Sequence, residues 1–289
     1  MRWFKAAEGR WLVQPAGSAV AYPMTASALA LLAEAPLLID RATCFDAAAA
    51  PVDPHAALGR APVPGLRPPV MYAIGANYRQ HIEEAGLDTP SLPLIIGKAA
   101  TSVTGPRSPI VIPRSCLAKP EVDFEVELAV IIGKTARNVS ETDALAHVLG
   151  YTVANDVSAR RWQDKRKGGG QWTRAKSFDT FCPLGPSVLL AHAAVDPGQL
   201  ALSSAVRKRG ADGFATMQSG RTSDMLFDVR RLVSFLSEAT TLPPWTVILT
   251  GTPAGVGFTR VPPVFLEPGD EIRARIDGIG ELQNAVVGE

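Results

Sequence analysis

Residues 122–133, VDFEVELAVIIG, decide the fold that this chain is expected to adopt. The stretch is rich in β-branched and apolar residues and has no internal proline or glycine, which predicts a buried β-strand. Because strand side chains alternate between faces, the even-numbered residues form one apolar face, whereas Asp123, Glu125 and Glu127 belong to the other. We therefore expect one face to pack in the core and the other to form a site.

Glu125 and Glu127 point to a metal ion. Burying two unpaired carboxylates is costly, and two carboxylates on one strand face can converge on a single divalent cation. Asp156 follows a second predicted strand, at residues 148–154, and offers a third oxygen ligand. This oxygen-only set suits Mg²⁺ or Mn²⁺, and also Ca²⁺, better than zinc. The alternative is that the pair is an ordinary feature of an exposed strand.

The composition of the 289-residue chain is that of an ordinary globular protein. Hydrophobic residues make up 46% and charged residues 20%, and 29 basic residues balance 28 acidic ones, which argues against nucleic-acid binding. Cys44, Cys116 and Cys182 are widely spaced and odd in number, which favours reduced thiols and a cytoplasmic location. No apolar run approaches the roughly 20 residues of a transmembrane helix, so we expect no membrane association.

The chain divides into a small N-terminal part and a larger domain. We expect residues 1–65 to form a module with a hairpin around Glu8 and Gly9, a short helix over residues 25–34 and a connector rich in proline and alanine. Residues 66–289 would form the catalytic domain. Its predicted strands outnumber its predicted helices, the longest of which covers residues 223–238.

A strand, a turn and a helix follow one another at the start of the larger domain. Residues 70–74 read as the strand and residues 78–85 as the helix, with Asn77 as its N-cap. His81 and Glu84 are three residues apart, so both lie on one helical face and can form a hydrogen bond. A carboxylate that orients an imidazole is typical of a general base, although most such pairs are ordinary surface contacts.

Five ordered segments resemble the fumarylacetoacetate hydrolase family. They are GANYRQHIEEAG (75–86), DFEVELAVIIGK (123–134), YTVANDVSAR (151–160), AKSFDTF (175–181) with PLGP (183–186), and TGTPAGVGF (250–258). The resemblance covers about three quarters of the chain, and several ordered segments are more specific than any one of them. It implies an α+β fold built on a rolled, mixed β-sheet of the fumarylacetoacetase C-terminal type, and a homodimer.

The resemblance also implies roles for individual residues. Glu125, Glu127 and Asp156 match the metal ligands, and the catalytic positions are His81, Glu84 and Lys176, whose ammonium would stabilise negative charge on the substrate. The positions that match substrate contacts are Tyr78, Arg160, Gln163 and Thr252. Arg160 and Gln163 have a structural alternative as partners of the metal strand, and the loop around Thr252 has one as a tight turn without a ligand. Asp123 matches no ligand, which leaves it in a supporting or solvent-facing position.

The implied function is the metal-dependent hydrolysis of a carbon–carbon bond in a 1,3-dioxo acid, such as an acylpyruvate or a fumarylpyruvate-like compound. His81, oriented by Glu84, would deprotonate water, and the metal with Lys176 would stabilise the enolate. Decarboxylation of oxaloacetate-like acids and isomerisation or tautomerisation follow the same enolate chemistry and stay open. A third possibility is a catalytically silent, metal-dependent binding protein. The run from Lys165 to Gly170 is interpreted either as a lid or as a plain surface loop.

Overall fold

The structure is a computed structural model, and it describes most of the chain. The residues described are 1–6, 10–32, 36, 39, 44–54, 68–191 and 195–289. The turn predicted at Glu8 and Gly9 lies outside them, although the two strands that flank it are paired. The predicted boundary at residues 65 and 66 also lies outside them.

Strands dominate the described residues. They are β1 (Arg2–Lys5), β2 (Trp11–Gln14), β3 (Tyr22–Pro23), β4 (Met71–Gly75), β5 (Leu94–Gly97), β6 (Val103–Thr104), β7 (Ile110–Ile112), β8 (Val122–Asp123), β9 (Val126–Ile132), β10 (Val148–Asn155), β11 (Ser158–Ala159), β12 (Cys182–Leu190), β13 (Ala201–Arg207), β14 (Ala215–Arg221), β15 (Val247–Leu249), β16 (Glu271–Ile276) and β17 (Gly280–Gly288). The expectation of an α+β fold with a mixed sheet is confirmed.

The helices are short by comparison. They are α1 (Ala26–Leu31), α2 (Arg79–Glu84), α3 (Arg160–Gln163), α4 (Trp172–Lys176) and α5 (Val229–Ser237), with 3-10 turns at Ala100–Ser102, Arg114–Cys116, Ala144–His147 and Thr222–Asp224. Helix α5 has a strongly amphipathic face, which buries Leu232 and Val233 against the sheet. Asp228 caps it by accepting a hydrogen bond from the Arg231 N–H at 2.8 Å.

Two sheets carry the architecture. The larger has the strand order β3-β2-β1-β12-β10-β9-β15-β4-β5, with β6 added parallel to β12, and the smaller has the order β14-β13-β16-β17-β7. The N-terminal strands join the larger sheet because β1 pairs antiparallel with β12. The division between an N-terminal module and a catalytic domain stays a prediction.

The segment 122–133, which the sequence predicts as one strand, is interrupted. Asp123 ends β8, which pairs with β11, whereas β9 begins at Val126 and lies between β10 and β15 in the larger sheet. Both faces of β9 are buried: Leu128 belongs to the core beneath α5, and Ile131 packs in a second core with residues of β1 and β2. The expectation that one entire face forms a site is therefore wrong. Only the start of the segment carries polar groups, because the sheet is covered on both sides farther along.

Asn77 does not cap α2. The N-cap residue is Tyr78, which makes no capping hydrogen bond with its side chain. The Asn77 side chain instead donates hydrogen bonds to the carbonyls of Phe227 and Thr250, at 3.0 and 2.7 Å, and accepts one from the Phe227 N–H at 2.9 Å. The predicted N-cap thus ties the turn before α2 to two distant segments, because its amide can satisfy buried backbone groups there.

Candidate active site

Three carboxylates meet where the start of β9 lies beside the end of β10. In this antiparallel pair Glu127 faces Ala154 and Val126 faces Asn155. Beyond it, the Asp156 N–H donates to the Glu125 carbonyl at 2.8 Å. One oxygen from each of Glu125, Glu127 and Asp156 lies within 4.8 Å of the others, and all three residues are buried. The sheet thereby brings together the acids that the sequence predicts as metal ligands.

Two ammonium groups hold Asp156 in place. Lys98 Nζ lies 2.8 Å from its Oδ1, and Lys176 Nζ lies 2.6 Å from its Oδ2. Lys176 also donates to Glu125 Oε2 at 2.6 Å and to the Ser158 hydroxyl at 2.9 Å. Lys98 is a functional candidate that the sequence reasoning missed. Its only signal was a lysine that directly follows the short strand β5.

Arg160 links the two carboxylates of the interrupted strand. Its Nε donates to Asp123 Oδ2 at 2.8 Å, and its Nη2 lies 2.7 Å from Glu125 Oε1. The guanidinium also stacks on the ring of Phe258, 4.4 Å from the ring centroid. In this arrangement Arg160 is a structural partner of the metal strand, which was one of the two alternatives drawn from the sequence. Asp123 is fully buried and supports the site.

The charges of this cluster do not balance. The carboxylates of Asp123, Glu125, Glu127 and Asp156 face three cations, which leaves one negative charge without a partner. Burial would raise the pKa of Glu125, but Lys176 and Arg160 lower this pKa to about 2. For Glu127, burial and the charges of Asp156 and Glu125 together raise the pKa well above its ordinary value. Glu127 is therefore the carboxylate that most lacks a cation.

These residues fit a divalent ion. A cluster of oxygen ligands with one unbalanced negative charge is the arrangement that favours a hard cation. Glu127 receives one hydrogen bond that the structure records, from the Gly251 N–H to Oε2 at 2.7 Å. A neutral donor compensates a buried charge less well than a cation does. The donor set does not select among Mg²⁺, Mn²⁺ and Ca²⁺.

Backbone N–H groups of residues 250–258 bind carboxylates of the protein. Gly251 donates to Glu127, Gly255 donates to both oxygens of Glu84 at 3.0 and 2.9 Å, and Gly257 donates to Asp123 at 2.7 Å. Gly251 and Gly255 have φ of +94° and +101°, and a Cβ at residue 255 would collide with the carbonyl of Met217. The glycine-rich loop thus organises the acids of the site.

His81 and Glu84 form the contact predicted from their spacing. The His81 Nδ1 lies 2.9 Å from Glu84 Oε1 on one face of α2. Burial would raise the pKa of Glu84, but hydrogen bonds from His81 and the Gly255 N–H lower this pKa. An ionised carboxylate only accepts hydrogen bonds, so Nδ1 carries a proton, which leaves Nε2 as the ring nitrogen available for other contacts. The pair therefore has the arrangement of an imidazole oriented by a carboxylate.

A cleft of about 1380 Å³ lies above this cluster. Its lining includes His81, Glu125, Glu127 and Lys176, and also Arg160, Gln163 and Thr252. The structure therefore brings most of the predicted catalytic, metal and substrate residues to one cavity. Tyr78 is 1% exposed, packs in the core beneath α5 and does not line the cleft.

The predicted substrate contacts differ in what they can still bind. Gln163 Oε1 accepts a hydrogen bond from Arg160 at 3.0 Å, whereas its Nε2 is buried and has no partner in the described part of the chain. The Thr252 hydroxyl donates to the Val126 carbonyl at 2.9 Å and accepts from Gln218 Nε2 at 2.7 Å. Gln163 thus has a free donor, whereas the Thr252 hydroxyl is already used on both sides.

The lysine- and glycine-rich loop lies at the rim of the cleft. Asp164 Oδ1 accepts hydrogen bonds from the N–H groups of Arg166 and Lys167, at 2.7 and 3.2 Å, and Lys165 and Lys167 line the cleft. This is a hydrogen-bonded turn in a position from which it could cover the opening. A lid motion stays a prediction.

No helix in the described parts of the chain combines the length and the apolar character that spanning a membrane requires. Cys44, Cys116 and Cys182 are buried, and none of them is part of a disulfide in the described residues. The cytoplasmic location and the homodimer stay predictions.

Comparison with known proteins identifies the source of the resemblance. The family model described as fumarylacetoacetate (FAA) hydrolase C-terminal matches residues 70–287. The human protein named mitochondrial oxaloacetate tautomerase FAHD2A is 44% identical over 224 residues, which cover 78% of this chain and 68% of that protein.

Solved structures resemble the whole chain. A 5-carboxymethyl-2-hydroxymuconate delta-isomerase from Mycobacterium smegmatis aligns with a TM-score of 0.75 at 35% identity, covering 100% of this chain and 99% of the other. A fumarylacetoacetate hydrolase from Exiguobacterium antarcticum aligns with a TM-score of 0.81 at 34% identity, covering 100% of both chains. Similar proteins are thus named as enzymes of three kinds, and the names favour tautomerisation or isomerisation over the carbon–carbon hydrolysis that was our first expectation.

Proposed function

This chain belongs to the fumarylacetoacetate hydrolase family, and from this premise we propose that it is a metal-dependent tautomerase that interconverts the enol and keto forms of a 2-oxo acid such as oxaloacetate. The observation that carries the proposal is the contact between His81 and Glu84, because His81 lines the same cleft as Glu125 and Glu127 of the acid cluster. A tautomerase needs a base beside a site that stabilises an enolate, and this cleft supplies both.

His81 is the proposed proton carrier. Its Nε2 lone pair removes a proton from C3 of the keto acid, and the electron pair of that C–H bond forms the C2–C3 double bond of the enolate. Return of a proton from the His81 imidazolium to the C2 oxygen completes the enol and regenerates the neutral imidazole. The reverse sequence returns the keto form, so no co-reactant is consumed. Glu84 keeps Nδ1 protonated and stabilises the imidazolium that forms transiently.

Glu125, Glu127 and Asp156 are the proposed ligands of a divalent metal ion. Bound there, the ion would act as a Lewis acid toward the 2-oxo group, and we propose Mg²⁺ or Mn²⁺ in this role. Lys176 and Lys98 hold the Asp156 carboxylate from both of its oxygens. Lys176 also lines the cleft, where its positive charge favours the negatively charged enolate oxygen over the neutral ketone oxygen.

Binding of the substrate carboxylate needs donors that the protein leaves available. We propose Gln163 Nε2 as one of them, because it is buried beside the cleft without a partner in the described residues. Arg160 already serves Asp123 and Glu125, so we propose that it positions Gln163 and the metal strand. Thr252 has a similar positioning role, because its hydroxyl fixes the start of β9.

Hydrolysis of a carbon–carbon bond is the second candidate. The same Nε2 lone pair can deprotonate water, and the volume of the cleft has room for a water beside an acylpyruvate. Decarboxylation of oxaloacetate needs only the enolate-stabilising half of the site. The three reactions differ in products, because tautomerisation releases none, decarboxylation releases CO₂ and hydrolysis of acetylpyruvate releases acetate.

One experiment separates these reactions. The purified protein, with Mg²⁺ or with a chelator, is mixed with the enol form of oxaloacetate, and the ultraviolet absorbance of the enol is followed while pyruvate and CO₂ are measured in parallel. We expect Mg²⁺-dependent loss of the enol signal without CO₂. Release of CO₂ at the same rate as the enol disappears would establish decarboxylation. A parallel reaction with acetylpyruvate tests hydrolysis, which would be established by release of acetate together with no effect on the oxaloacetate enol.

A further inference from the structure

Several large apolar side chains line the cleft, although the proposed reaction needs only polar groups. Five large side chains line it and remain partly exposed, namely Leu87 (46%), Leu92 (54%), Leu94 (46%), Trp172 (36%) and Phe258 (37%). We call this set the apolar wall. Exposed apolar side chains that gather around one cavity, rather than being scattered singly, mark a surface that binds something.

We propose that the apolar wall binds an apolar substituent on C3 of the substrate, and that the preferred substrates are therefore 2-oxo acids with an aryl or branched alkyl group, rather than oxaloacetate itself. This inference rests on the proposed function and narrows its substrate class. It concerns selectivity, so the chemistry at His81 stays the same for both kinds of acid.

The wall is continuous with the proposed reactive base. The ring of Phe258 meets the His81 imidazole edge to face, with 6.5 Å between the ring centroids, and it also stacks on the Arg160 guanidinium. Leu94 lies on β5, directly opposite Gly75 of β4, and a Cβ on Gly75 would come within 2.9 Å of the Leu94 side chain. A substrate held at His81 therefore has apolar surface within reach.

The size of the cleft supports the same conclusion. Its volume of about 1380 Å³ exceeds the roughly 300–1,000 Å³ of sites that enclose drug-sized ligands. A small diacid such as oxaloacetate would occupy the polar base and leave the apolar wall in water. A substituent that removes the wall from water gains affinity in proportion to the apolar area buried, about fourfold for each methylene group.

The charges of the oxaloacetate molecule do not match the wall. Oxaloacetate places a second carboxylate on C3, and a carboxylate loses its hydration when it packs against leucine and phenylalanine side chains. Lys119 and Lys165 also line the cleft, with no ion-pair partner recorded in the described residues, but they are exposed surface cations whose pairing with a carboxylate would contribute little. The wall thus favours an apolar group at this position.

The test compares phenylpyruvate with oxaloacetate, two 2-oxo acids that differ in the group on C3. Catalysed tautomerisation is measured for each and divided by its uncatalysed rate. We expect the wild-type kcat/KM, corrected in this way, to be at least tenfold higher for phenylpyruvate. The double variant Leu92→Asn/Leu94→Asn should lower the ratio of the two values about fivefold or more.

Leu117→Asn is the matched control, because Leu117 is also 40% exposed but does not line the cleft. It should leave the ratio unchanged. A binding measurement complements the rates: phenylpyruvate should quench tryptophan fluorescence in the wild type, and Trp172→Phe should remove most of that signal.

The outcomes are distinct. If the wild type accelerates neither acid, the proposed function fails. If it accelerates oxaloacetate and the corrected ratio favours that acid, or does not respond to the double variant, only the inference about the apolar wall fails. If the double variant instead changes the oligomeric state in sedimentation experiments and leaves the ratio intact, the wall is a contact between copies of the chain and the inference is overturned.

Discussion

The ammonium of Lys98 lies 2.8 Å from Oδ1 of Asp156, and neither side chain is more than 1% exposed. Lys98 also donates to the carbonyls of Lys176 and Phe181, so all of its hydrogen bonds are internal. A buried lysine with three acceptors is held rigidly, and it fixes one of the three acids that form the proposed metal site.

Lys98→Met should destabilise the protein by about 3–5 kcal/mol, because removing this buried cation leaves a second carboxylate charge of the cluster unbalanced, even though Lys176 still contacts Asp156. The free energy of unfolding, measured in urea, tests this. Lys134→Met is the control, since Lys134 is exposed and has no ion pair recorded in the described residues. Equal stability of the two variants would mean that the Lys98 contact contributes nothing.

His81→Asn should lower kcat for tautomerisation by about 10²–10⁴-fold, the usual contribution of a positioned acid or base, while Mg²⁺ affinity stays within twofold of the wild type. Rates under substrate saturation and calorimetric titration with Mg²⁺ measure the two quantities. Glu83→Gln provides the control, because Glu83 is an exposed neighbour on α2. Retention of full activity by His81→Asn would remove His81 from the mechanism.

Glu127→Gln should abolish metal binding without lowering the stability of the metal-free protein. In the absence of metal, the variant should be at least as stable as the wild type, because it removes a buried charge that repels Asp156 and Glu125. Added Mg²⁺ should raise the melting temperature of the wild type and leave that of the variant unchanged. Calorimetric scans with and without Mg²⁺ provide the measurement. An equal rise in both proteins would place the ion elsewhere.

The stability of the metal-free protein should fall as pH rises above the ordinary Glu value of 4.5, where Glu127 titrates in the unfolded chain. Its folded pKa is higher, so the folded state binds more protons and loses its advantage as pH rises. The effect of Glu125 on stability has the opposite pH dependence, because its folded pKa is lowered to about 2. The stability that Glu125 contributes is lost as pH falls below 4.5. Urea unfolding with chelator should show that the difference in stability between wild type and Glu127→Gln shrinks or reverses toward pH 4.5. A difference independent of pH would contradict the raised pKa.

The cysteine thiols should be unreactive in the folded protein. Burial raises the pKa of Cys116 to about 11 and that of Cys182 to about 12, and only the thiolate reacts with disulfide reagents. We expect almost no modification at neutral pH, and three thiols per chain after denaturation. Fast modification of one thiol without denaturant would show that its surroundings open readily.

Local rules predicted much of the site. The alternation of side chains along a strand predicted that Glu125 and Glu127 act together, and the helical period predicted the contact of His81 with Glu84. These features depend on residues that are close in the chain.

The same local rules failed where distant segments compete for a side chain. Asn77 has the residue type of an N-cap, yet its side-chain amide donates hydrogen bonds to the carbonyls of Phe227 and Thr250, which are 150 and 173 residues away. Likewise, no pattern in the sequence predicted the hydrogen bond from Lys98 to Asp156. Competition of this kind cannot be read from a window of neighbouring residues.

The amino-acid sequence by itself determined that Glu125 acts with Glu127 and that His81 contacts Glu84, because backbone periodicity places these pairs without reference to the rest of the chain. The α+β fold followed from the resemblance of the sequence to the family, which also supported Asp156 as the third acid. Only the tertiary structure decided that Lys98, Arg160 and the glycine N–H groups would hold the acids, and that five apolar side chains would line one cleft. The physical reason is that buried charges and apolar surfaces take whichever partners the packed sheets bring within reach, and those partners come from segments far apart in sequence.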